Sequence, residues 1–252
     1  MESKKYNFFE TKLNKCVLTI EMNRLEKRNA FSPGFVDELC DIWEYIENSH
    51  EIRIGVLKSK SEEYFSAGAD LEQLIPLLTG KKKPTTKIEK KVIEENLLRK
   101  FYRKNKLYKK PIIGVSSGHC IAGGFELLLS CDFKIISTDS KIGFPETKLG
   151  LIPAGGGISR IVHSTSRSRA LEILINSSDI DISKLLHEGI VNEICMKDNL
   201  DEVLDSYIER LLDSERGATE ILLSSIDKFK ELNLAESFLL EEELLKKLSH
   251  GR

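Results

Sequence analysis

Hydrophobic residues along the chain come in short β-rich runs that alternate with helical spacing. The run at 16–20 (CVLTI) predicts a strand, and the polar NRLEKRNA at 23–30 predicts a loop. Ser32 and Pro33 then open a helix, Ser32 as its N-cap and Pro33 at its first position. Phe35, Leu39, Ile42, Trp43 and Ile46 give that helix a buried stripe. A second strand is expected at 52–58 (IRIGVLK), followed by a Ser/Gly/Ala turn and a helix capped by Asp70. A third is expected at 111–117 (PIIGVSS), leading through GHCIAGG into the helical FELLLS, and a fourth at 132–138 (DFKIIST). Strand, turn and helix in this recurring order predict an α/β fold with parallel pairing.

The late part of the chain reads differently. LNLAESFLLEEELLKKL carries Leu234, Phe238, Leu245 and Leu248 at helical spacing and predicts an amphipathic helix. A soft boundary therefore falls near residue 195, giving a core over 1–195 and a helical region over 196–252.

Composition narrows the class. Of 252 residues, 40% are apolar and 31% charged, which is enough for a packed core and excludes a disordered chain. Lys+Arg is 38 against 40 for Asp+Glu, so no basic excess points to nucleic acid or to an anionic membrane. Five scattered cysteines without a C-x-x-C argue against a disulfide framework or a cysteine zinc site. No secretory leader and no apolar run long enough to span a bilayer is evident, so a soluble, cytoplasmic protein is expected. Charge is uneven, however. Residues 81–110 hold 13 Lys/Arg against three Glu, and 198–247 hold 14 acidic against six basic residues. The basic run reads as a solvated, partly disordered lid. Contacts to phosphates, to an acidic carrier protein or to acidic helices of a neighbouring subunit are the other readings, and RNA binding is a weaker one because the chain as a whole is acidic.

Three segments could carry chemistry. In SAGADLEQL (66–74), small residues let a ligand approach backbone N–H groups at a helix start, although an ordinary βα turn fits the same residues. In GHCIAGGFELLLSCD (118–132), the Gly123 N–H is a comparable donor. Glu126 lies about one turn on, among apolar neighbours. A carboxylate there is either paired, kept for work, or favoured simply by the helix start. In KIGFPETKLGLIPAGGGISRI (141–161), Glu146 follows Pro145 in a long irregular loop that wraps something, where a solvated glutamate is the plainer reading. The five histidines show no metal-ligand spacing, so no metal is expected. No nucleophile elbow, dinucleotide fingerprint or Walker loop is present.

Taken in order, NRLEKRNAFSPGF (23–35), YFSAGADLEQL (64–74), GHCIAGGFELLLSCDF (118–133), FPETKLGLIPAGGGISRI (144–161) and LLHEGIVNEI (185–194) resemble the crotonase, or enoyl-CoA hydratase/isomerase, superfamily. The resemblance implies a crotonase-like spiral of ββα units with a C-terminal helical region, assembled as a homotrimer or hexamer. It implies an acyl-CoA thioester substrate and no separate cofactor, CoA arriving as part of the substrate. Ala69 and Gly123 would supply an oxyanion hole. CoA would lie along Lys27, Arg28 and Ala30, and along Ala67, Gly68, Asp70 and Leu71. Glu126 would activate water and Glu146 would supply the Cα proton of a hydratase, whereas a double-bond isomerase would need Glu146 alone. A dehydratase acting on carrier-protein thioesters and a non-catalytic acyl-CoA-binding protein are the alternatives.

Overall fold

The computed structural model describes residues 5–104, 108–175 and 180–250. The chain opens with β1 (Phe9–Asn14), β2 (Val17–Met22) and α1 (Pro33–Asn48). It continues through β3 (Ile54–Ser59), β4 (Tyr64–Ser66), α2 (Ile75–Leu78), α3 (Lys87–Ile93) and α4 (Leu98–Phe101). Next come β5 (Ile112–Ser116), β6 (His119–Ile121), α5 (Gly123–Leu129), β7 (Phe133–Ser137) and β8 (Ile142–Gly143). A 3-10 turn (Glu146–Leu149) leads to α6 (Gly157–Ser164), α7 (Arg167–Ile175), α8 (Ile182–His187) and β9 (Glu193–Cys195). The last elements are α9 (Leu200–Asp213), α10 (Arg216–Phe229) and α11 (Leu234–His250).

Strands alternate between two sheets. One has the order β1-β2-β3-β5-β7-β9 and the other β4-β6-β8. Each turn of the chain thus adds one strand to each sheet and crosses back through helix, which is a spiral of ββα units. Pairing is parallel except between β1 and β2. Parallel strands covered on both faces read as continuous apolar runs, and those runs are what the sequence displays at β3, β5 and β7. The antiparallel β1 (FETKLN) carries no such run, because only its first residue is buried. Strands β6 and β8, of three and two residues, are too short to announce themselves by alternation.

Helix α1 covers one face of the large sheet. Ser32 Oγ accepts the Phe35 N–H at its start, and Phe35, Leu39, Ile42, Trp43 and Ile46 are buried. Leu200 and Leu204 of α9 pack on the other face against Val56, Val115 and Ile135. The late helices stand where the apolar spacing placed them. In α11 Leu234, Phe238 and Leu245 are exposed and Leu248 is half-buried.

Two expectations need correction. Asp70 does not cap an α-helix. Its Oδ1 accepts the N–H groups of Glu72 and Gln73 and so caps a turn, and α2 begins only at Ile75. Pro76 has no N–H to continue a helical ladder back to Glu72. The basic segment keeps Lys81, Lys82, Lys83, Lys87 and Lys90 exposed to solvent, but it is not detached from the core. Thr86 and Glu89 form a capping box on α3, Val92 and Phe101 are buried, and Trp43 Nε1 donates to the Phe101 carbonyl at 3.1 Å. Charge counting hid the apolar positions that dock this segment on α1. Residues 105–107 of the run lie outside the described residues.

Candidate active site

The spiral brings three turns together around one cavity of about 840 Å³. The first turn follows β4. Gly68 takes a φ of +88°, and a Cβ there would sit 2.8 Å from the Gly123 nitrogen, so only glycine allows the two turns this close. The Phe31 N–H donates to Gly68 O at 2.8 Å and the Asp70 N–H to Phe31 O at 3.0 Å. These bonds clamp Ala69 between them and leave its own N–H with no acceptor among the described residues. Beneath it, buried Arg24 Nη1 donates to Asp70 Oδ2 at 2.7 Å and to Ala30 O at 2.6 Å. Burial pushes the Asp70 carboxyl up, but Arg24 and the two turn N–H groups outweigh it and hold it below the usual range.

The second turn follows β6. Gly123 is the first residue of α5, and its N–H also lacks an acceptor among the described residues. Every residue of α5 is buried, so Glu126 is carried into the interior by its apolar neighbours. Its side chain is 3% exposed, and its Oε1 accepts the Gly157 N–H at 2.8 Å. Desolvation raises the Glu126 pKa to about 7. The Gly157 and Gly155 N–H groups and Lys104 pull against that, and the charge of Glu146 adds to it.

The third turn follows β8. Phe144 packs on Phe125, ring centroids 5.0 Å apart, and Pro145 turns Glu146 into the cavity at the head of the 3-10 turn. Glu146 is buried, its Oε2 has no hydrogen-bond partner among the described residues, and desolvation raises its pKa. The loop expected over 141–161 is therefore partly ordered into β8, the 3-10 turn and α6.

Glu126, Glu146, Ala69 and Gly123 all line this cavity, together with Lys27, Ala30, Ala67, Asp70 and Leu71. Arg28 and Gly68 do not. Arg28 lies over the Tyr64 ring at 5.1 Å, and Gly68 stands behind the Gly123 nitrogen. Lys27 is exposed at the rim, 3.4 Å from Glu72. Among the described residues no group of three or more His, Cys, Asp or Glu side chains could hold a metal ion, and no helix is long and apolar enough to cross a membrane.

Sequence reasoning missed Tyr102, Lys104 and Gly155, which also line the cavity. Lys104 Nζ donates to Ala154 O at 2.6 Å and Arg160 Nη2 to Tyr102 O at 2.7 Å, so the basic segment is pinned to the glycine loop before α6. The available signal was the FY pair inside a charged run just ahead of a strand.

The site can hold an oxygen that gains negative charge against two amides, with two carboxyl groups nearby to move protons. Comparisons with known proteins identify the family. The sequence model of the enoyl-CoA hydratase/isomerase family matches residues 12–252. A short-chain-enoyl-CoA hydratase of Clostridium acetobutylicum is 25% identical over 90% of this chain and 84% of its own length. An ethylmalonyl-CoA decarboxylase of Bos taurus is 29% identical over 93% of this chain and 74% of its own. The crystal structure of an enoyl-CoA hydratase subunit from Geobacillus kaustophilus superposes with a TM-score of 0.85 at 26% identity, covering 98% of this chain and 91% of that one.

Proposed function

The chain belongs to the enoyl-CoA hydratase/isomerase family, and we propose that within it this protein adds water across the α,β double bond of an acyl-CoA thioester. One observation carries the reading: two buried carboxyl groups, both held above the ordinary range, line the same cavity as two amides that have no acceptor among the described residues.

The thioester oxygen sits between the Ala69 and Gly123 N–H groups and draws electron density from the double bond, leaving Cβ electrophilic. Glu126 as carboxylate takes a proton from water, and the oxygen bonds to Cβ. The electron pair moves onto the thioester oxygen as an enolate, where the two amides stabilise it. Collapse of the enolate returns the pair to Cα, which takes the proton of Glu146. Two like groups differ in role because their surroundings differ: Glu126 is anchored by a backbone donor, while Glu146 Oε2 is bare. CoA lies along Lys27, Ala30 and the turn at 67–71, where Leu71 is exposed at the mouth.

Loss of the enoyl absorbance of crotonyl-CoA tests the proposal. Glu126→Gln and Glu146→Gln should each lower kcat about 10²–10⁴-fold. If only Glu146→Gln matters, and a 3-enoyl thioester shifts its double bond without water uptake, the activity is isomerisation. If neither variant differs and short, medium and long enoyl-CoAs are inert by mass spectrometry, the site only binds.

A further inference from the structure

Tyr102 stands on the cavity wall with no part in the chemistry above. It is buried, and its hydroxyl has no hydrogen-bond partner among the described residues. The hydroxyl oxygen keeps some surface open to the cavity, so it is available to whatever fills that space. Its position is specific. A Cβ built on Gly123 would lie 2.8 Å from Tyr102 Oη and 3.4 Å from the Ala69 nitrogen. The hydroxyl therefore lies beside the backbone of both turns, whose Ala69 and Gly123 N–H groups have no acceptor among the described residues.

The ring has little freedom to leave. It packs edge-on against Phe101, centroids 4.8 Å apart. A Cβ at Gly155 would be 2.6 Å from its Cε2 and Cζ atoms, so the glycine loop closes its other side. Arg160 holds the residue's carbonyl at 2.7 Å. Burial above all, and the charges of Glu126 and Glu146 whenever they are ionised, keep the phenol well above its ordinary pKa, with Arg160 pulling the other way. A group so placed keeps its proton and offers it as a hydrogen bond; phenolate, which a base or nucleophile would need, is opposed by both carboxylates.

We propose that Tyr102 is a third hydrogen-bond donor to the thioester oxygen, strengthening as that oxygen becomes an enolate. The proposal rests on the thioester reading of the cavity. The proton stays on the tyrosine throughout, so the contribution is electrostatic and largest in the transition state.

Tyr102→Phe keeps the ring and removes the donor. Its kcat for crotonyl-CoA should fall about 10- to 100-fold while KM changes less than about threefold. Acetoacetyl-CoA gives a readout that a merely structural residue would not move, because its enolate carries the same charged oxygen. Titrated by absorbance on the enzyme, its enolisation midpoint should rise by about one pH unit in Tyr102→Phe. Incorporation of 3-fluorotyrosine at 102, a stronger acid of similar shape, should lower that midpoint. An unchanged midpoint in both proteins overturns the proposal, whatever kcat does. If crotonyl-CoA is inert but the midpoints still move, the donor stands and the hydratase reading falls. If the wild-type protein leaves the acetoacetyl-CoA titration unperturbed, the donor falls on its own.

Discussion

The Gly157 N–H donates to Glu126 Oε1 at 2.8 Å across 31 residues of sequence. This bond joins the first residue of α6 to the middle of α5, so the glycine loop at 155–157 serves as the rear wall of the carboxylate. The second carboxylate oxygen faces Gly155, where a Cβ would lie 2.5 Å from Oε2.

Gly155→Ala should therefore disturb the chemistry more than the fold. The new methyl meets Glu126 and the Tyr102 ring together, and both are held by other contacts. A displacement of about 1 Å at a reacting group can cost about 10²-fold in rate. kcat for crotonyl-CoA should fall by that order, with KM nearly unchanged because the rim at Lys27 and Leu71 is untouched. Steady-state kinetics with a melting curve check this. A variant with wild-type kcat would mean that the wall yields.

The pH dependence of kcat/KM should be a bell. One proton shared by the two glutamates is the working state: with two there is no base, and with none there is no acid. The Glu146 charge is among the causes that raise Glu126 to about 7, so that value belongs to the second ionisation of the pair. The alkaline limb is thus expected near 7 and the acid limb below it. Lys104→Met removes a charge that lowers the Glu126 pKa, and should move the alkaline limb upward by less than about one unit. A rate that climbs steadily through pH 8 rules out the shared proton.

The same group works against stability. The folded pKa of Glu126 lies above its unfolded value, so the folded state holds the proton more tightly. The stability linked to this is complete below the unfolded pKa and is lost as pH rises through about 7. Glu126→Gln keeps an oxygen to accept the Gly157 N–H and removes the buried charge. At pH 8 it should be more stable than the wild type by up to about 3 kcal/mol, and at pH 4 indistinguishable. Urea midpoints at the two pH values decide it.

How much of this was legible follows from where the physical signal sits. The α1 stripe and the strands β3, β5 and β7 are continuous apolar patterns, visible because burial imposes a period. Glu126 stood out as one charge within an apolar helix, and Gly123 as a helix-start donor, whereas the close approach of Gly68 to Gly123 emerged only in the fold. Tyr102 carried no such mark. Its importance comes from Arg160 and Gly155, residues 58 and 53 positions away, whose contacts only the folded chain assembles. Asp70 drew attention as a helix cap, which it is not, and its pairing with Arg24 was not legible at all, since nothing in either neighbourhood encodes it.

That ion pair gives the last expectation. Arg24 and Asp70 meet at 2.7 Å with side chains 6% and 5% exposed, directly behind Ala69. The Asp70 pKa is depressed in the folded state, so the stability it contributes is present above the unfolded value and is lost as pH falls through the folded one. Asp70→Asn leaves buried Arg24 with only the exposed Glu26 carboxylate, 3.9 Å away, as countercharge, which should cost about 3 kcal/mol at pH 7. The difference from wild type should shrink as pH falls below the ordinary carboxylate range, where the native aspartate in its turn becomes neutral. Arg24→Met with Asp70→Leu removes both charges and should recover part of the loss. Recovery is incomplete because a leucine side chain cannot accept the N–H groups of Glu72 and Gln73, which the native carboxylate does. With that turn loosened, the Ala69 amide loses its fixed direction, so the double variant should regain stability without regaining kcat. Urea titration at pH 7 and at a pH below the ordinary carboxylate range, read beside crotonyl-CoA turnover at pH 7, separates the two effects, and full recovery of kcat would show that the turn does not depend on Asp70.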